Sequence, residues 1–77
     1  HYIEQLENIC VAIVAHGGYG VDPVRVARVL RLVSEGLWND MLSMTDPYTR
    51  NEALKTLYSC AAGFFPKHFA SEGPIDG

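Results

Sequence analysis

The side chains of this sequence best suited to chemistry are three histidines, His1, His16 and His68, two cysteines, Cys10 and Cys60, and the carboxylates Glu35 and Asp40. Imidazoles hold a metal when they converge with one another or with thiolates and carboxylates, as paired histidines do at close helical spacing. Here His1 opens the chain, His16 ends a helical pattern and His68 follows Pro66. A metal site would need distant ends of the chain to meet, so none is expected; His16 is read as complementing the negative end of the first helix's dipole. A cysteine nucleophile needs an accessible thiolate beside a base, whereas Cys60 falls within the apolar arc of its helix. Glu35 and Asp40, five positions apart on one helix, diverge and do not form an acid–base pair. The run from Gly17 to Gly20 neither follows a strand nor opens a lysine-bearing helix, which makes it a turn and not a phosphate loop. GxSxG, HExxH and GxGxxG are absent. No catalytic set, metal or cofactor is nominated, and the chain is expected not to be an enzyme.

The elements that carry these residues read as three helices, an all-α fold. Over about 2 to 16, Ile3, Leu6, Cys10 and Ile13 recur at spacings of three and four with Glu4, Glu7 and Asn8 off the stripe, the pattern of an amphipathic helix. The glycines after it accept the left-handed backbone that ends helices. Asp22-Pro23 is a start signal, because the carboxylate accepts a free first-turn N–H and proline at the first helical position gives up no needed donor. The second helix runs over about 23 to 44 with an apolar ladder of Val26, Leu30, Val33, Leu37, Met41 and Met44, the pattern of a helix packed along a neighbour. Val29, Leu32, Trp38 and Leu42 widen its apolar surface, so neighbours are expected on more than one side. Arg31 and Glu35, four apart, form an exposed pair worth a few tenths of a kcal/mol.

Thr49-x-x-Glu52 is a capping box that starts a third helix over about 50 to 65, with Ala53, Leu54, Leu57, Tyr58, Cys60, Ala61, Phe64 and Phe65 on a broad arc. Pro66 ends it, since proline disfavours helical geometry in the residue before it. Residues 1 to 69 form the helical body and 70 to 77, with Gly73, Pro74 and Gly77, a flexible tail.

Bulk properties narrow the function. The chain has 77 residues, 48% of them hydrophobic and 19% charged, and one this short hides only about 60% of the surface its unfolded form exposes. Some apolar surface is therefore expected to face another chain. The formal net charge is -3 and there are six Lys and Arg residues in all, too few for a face that binds a nucleic-acid duplex. No run approaches the ~18 consecutive apolar residues of a membrane span. Two cysteines without CxxC spacing suit buried, reduced thiols in a cytoplasmic protein. His1 enters the helical pattern with no capping signal before it, so the chain is expected to be a piece of a longer protein.

The order Glu35-Gly36-Leu37-Trp38-Asn39-Asp40-Met41-Leu42, Asp46-Pro47, Thr49 to Ala53 and Phe64-Phe65-Pro66 resembles the C-terminal end of TetR-family transcriptional repressors, in particular the subgroup with the betaine-pathway regulators. The likeness covers about residues 21 to 69, and Gly36-Leu37-Trp38 is its distinctive part. It implies that the last two helices pair with those of a second subunit in a four-helix dimer interface. Val26, Leu30, Val33, Leu37, Met41, Leu54, Leu57, Tyr58, Ala61 and Phe65 are the expected seam. It further implies an effector pocket, to which Trp38, Ser34 and Leu42 are assigned, and DNA contact only through a helix-turn-helix that this chain lacks. The expected partners are thus a second copy and a small-molecule effector, with no membrane. The alternative is a stand-alone helical module whose groove accepts a partner helix.

Overall fold

The computed structural model describes residues 2 to 75. Three helices, α1 (Tyr2–Gly17), α2 (Pro23–Ser43) and α3 (Arg50–Phe64), are followed by two short strands, β1 (Phe69–Ala70) and β2 (Gly73–Pro74). The fold is predominantly all-α, and the helix bounds lie within a residue of those expected.

Local chemistry explains those bounds. α1 stops at Gly18, whose φ of 65° lets the N–H groups of Gly18 and Tyr19 both return to the Val14 carbonyl, at 2.9 and 3.2 Å; this satisfies carbonyl capacity that a helix end otherwise leaves open. At the start of α2, Asp22 Oδ1 accepts from the Val24 N–H at 3.0 Å. For α3, the Thr49 hydroxyl accepts from the Glu52 N–H at 3.2 Å, one half of the capping box, while the Glu52 carboxylate lies 3.9 Å from Lys55 Nζ.

α2 is the central helix, with α1 packed on one side and α3 on the other, each antiparallel to it. α1 lies against only the N-terminal half of α2, where Leu6, Cys10, Ile13 and Val14 meet Val26, Ala27 and Leu30. Phe65, at the end of α3, closes this core with no solvent exposure, beside Cys10 at 1% and Val26 at 2%. Both cysteines are free thiols, and burial pushes the Cys10 thiol above its ordinary pKa. The single largest departure from a three-helix reading lies in the segment expected to be a flexible tail. Residues 70 to 75 continue β1 into a tight antiparallel hairpin, with Phe69 opposite Pro74 and Ala70 opposite Gly73; Asp76 and Gly77 lie outside the described residues. Gly73 is buried with φ of 134°, a conformation that disfavours a side chain, and the Phe69 ring stacks on Tyr58 of α3 at 6.2 Å between centroids.

The result is a slab, 42 × 27 × 18 Å. Its radius of gyration is 13.1 Å, against about 11.5 Å for a compact domain of this length. No helix among the described residues is long and apolar enough to cross a membrane.

Candidate functional site

Because α1 covers only the first half of α2, the rest of α2 and the facing side of α3 share an uncovered apolar surface. It forms one trough in two segments that have Ser34 and Leu57 in common. The first, about 260 Å³, lies between α1 and α3 and is lined by Tyr2, Leu6, Leu30, Tyr58, Ala61 and Phe69. The second, about 160 Å³, is lined by Leu37, Trp38, Met41, Arg50, Ala53 and Leu54 of α2 and α3. Apart from Ser34, Arg50 and the tyrosine hydroxyls, every lining side chain is apolar. The trough is open along its length; Trp38 at its edge is 63% exposed, a large apolar area for water to cover.

The ten residues expected at a subunit seam divide here. Leu30, Leu37, Met41, Leu54, Leu57 and Tyr58 line the trough. Val26 and Phe65 face the chain's own core, so their apolar surface is already spent on folding and is not free for a partner. Ala61 is buried at the trough floor, and Val33 is half-buried on α2 without lining the trough. Of the three residues assigned to an effector pocket, Ser34 and Trp38 come together, whereas Leu42 is 69% exposed and lies outside the lining. One helical turn beyond Trp38, it points along a stretch of α2 where α1 no longer reaches.

Sequence reasoning missed Tyr2, Leu6, Arg50, Ala53 and Phe69 as parts of this surface. Leu6 had a signal, its place on the stripe of α1. Phe69 had none, because it reaches the trough only through the turn after Pro66 and the stacking on Tyr58.

The polar residues singled out for chemistry have structural partners. Glu35 Oε2 accepts from Arg31 at 2.8 Å, and Asp40 Oδ2 accepts from the Tyr48 hydroxyl at 2.8 Å, tying the α2–α3 connection to α2. The expectation that His16 and His68 lie at distant ends is corrected. Fifty-two residues apart in sequence, their rings approach with nitrogens 2.9 Å apart, because antiparallel α2 and α3 together return the chain to the end of α1. His1 lies outside the described residues. Among the described residues no group of three or more His, Cys, Asp or Glu side chains is placed to hold a metal ion.

No protein-family model, no curated protein and no solved structure matches the chain.

Proposed function

We propose that this chain is a dimerisation and effector-sensing part of a TetR-like transcriptional regulator, in which two copies pair trough to trough through α2 and α3 to form a four-helix bundle. The observation that carries the reading is the open apolar trough, taken with the surface left over by folding. The accessible surface is 5392 Å², whereas a compact monomer of 8.5 kDa exposes about 4,700 Å². The excess, about 700 Å², reflects the open slab with its uncovered trough.

A second copy suits the trough because the lining to be covered is almost wholly apolar, while nearby charges, Glu35 with Arg31 and Lys55 with Glu52, are already paired within each copy. The effector side of the reading rests on Ser34 and Trp38, a hydroxyl beside a broad aromatic wall, the mix of apolar lining with a few polar groups that small-molecule pockets use. An effector bound there regulates only by favouring one packing of the bundle over another. Operator contact belongs to a helix-turn-helix outside α1 to α3.

Sedimentation equilibrium from about 1 to 100 micromolar tests the pairing. A dimer is expected, with Trp38 emission shifting to the blue as association buries the indole. Leu37→Asp, which places an unpaired charge on the seam at a cost of several kcal/mol, is expected to leave a helical monomer. A wild-type chain that stays monomeric with native helicity at the highest concentration overturns the proposal.

A further inference from the structure

A chain of hydrogen bonds ties the C-terminal segment to the end of α1. The Lys67 backbone N–H donates to the Tyr19 hydroxyl at 2.9 Å. The Tyr19 oxygen lies 2.7 Å from His68 Nδ1, and His68 Nε2 lies 2.9 Å from His16 Nδ1. With both rings neutral, two arrangements satisfy every contact: the Tyr19 hydroxyl donates to His68 Nδ1 and His68 Nε2–H to His16 Nδ1, or His68 Nδ1–H donates to the Tyr19 oxygen and His16 Nδ1–H to His68 Nε2. The Lys67 ammonium donates to the Gly17 carbonyl at 2.8 Å and stands 5.6 Å over the Tyr19 ring.

We propose that His16 and His68, held through Tyr19, form an acid-released latch that fastens the segment from 67 to 75 to the end of α1. The chain accommodates one added proton. If His68 takes it, both its nitrogens become donors, His16 Nδ1 still accepts, and the Tyr19 hydroxyl rotates its hydrogen away and accepts from His68 Nδ1 as well as from Lys67. A second added proton finds no place, because N–H would then face N–H across 2.9 Å between two imidazolium rings whose centroids are 5.0 Å apart. The contact must open. Among the described residues the groups around the pair are His16 itself on α1, the Tyr19 phenol of the α1–α2 connection and, in the segment after α3, the Lys67 ammonium, a like charge.

Linkage sets the direction: the closed contact has no place for the second proton and the open one has, so acid favours opening. The consequence reaches the trough, since His68 precedes Phe69, whose ring forms part of the trough wall, and the His68 carbonyl accepts from the Ile75 N–H at 2.8 Å in the hairpin. The latch itself does not depend on whether the trough takes a second copy.

Long-range proton–nitrogen NMR of the imidazoles in the full chain, titrated from about pH 8 to 4 and paired with amide hydrogen exchange, is the test. Expected are loss of the His16–His68 contact in acid and, with it, exchange of residues 67 to 75 rising about tenfold or more relative to α2. His16→Gln, which removes the second proton's site, should abolish that rise; His68→Gln serves the same purpose if the first variant does not fold. Exchange of residues 67 to 75 that does not rise in acid relative to α2, or an acid-induced rise that persists in the glutamine variants, overturns the proposal.

Discussion

Truncating Phe65 to alanine separates the chain's own core from its open face. The side chain has no solvent exposure, packs with Cys10, Val26 and Ala27, and its ring lies 5.2 Å from that of Tyr19 and 6.4 Å from that of Phe69. A buried Phe→Ala change costs about 3 to 5 kcal/mol through lost transfer energy and the cavity left behind. The upper half of that range is expected, because each aromatic neighbour adds about 0.5 to 1.5 kcal/mol beyond area. A domain of this length has about 4 to 12 kcal/mol of stability in total, so the variant should lose at least a third of it. Urea unfolding followed by helical ellipticity, at a concentration too low for association, gives the value directly. Leu54→Ala is the control: Leu54 stands partly exposed on the trough rim and should cost the monomer about 1 kcal/mol or less. If Phe65→Ala costs under about 1 kcal/mol, or no more than Leu54→Ala, the division between core and trough is wrong.

Gly18→Ala should lower stability by about 1 kcal/mol and Gly18→Asn by less, because nothing lies within 4 Å of an added Cβ and the cost arises only from the positive φ; equal losses for both would contradict a backbone cause. Cys60 should react with a thiol reagent at neutral pH while Cys10 waits for unfolding, since burial both shields the Cys10 thiol and holds its pKa up; faster labelling of Cys10 would mean that the core is open.

The local part of the fold is legible in the sequence because its causes are local. Asp22 with Pro23, Thr49 before α3 and the glycines after His16 each act on backbone groups within a few residues, so helix number and bounds follow without knowledge of the tertiary fold. The Arg31–Glu35 pair is readable for the same reason, being set by helical rise alone. The candidate surface was legible only in outline. Val26, Leu30, Leu37 and Met41 share one ladder on α2, and nothing in their spacing marks where the chain's own packing stops.

That boundary is a matter of tertiary structure. α1 reaches only the stretch of α2 around Val26 to Arg31, which commits Val26 to the core and leaves Leu37 and Met41 in the trough. Phe65 is inside for a related reason, since α3 returns antiparallel along α2 and its end meets Cys10. The hairpin from Phe69 and the meeting of His16 with His68 follow from the same return of the chain. What the sequence determines by itself is three capped, amphipathic helices with more apolar surface than so short a chain can hide. Which apolar residues fold inward, which stay open, and which imidazoles meet were decided by helix lengths and packing order, because these set distances across the chain that no local spacing encodes.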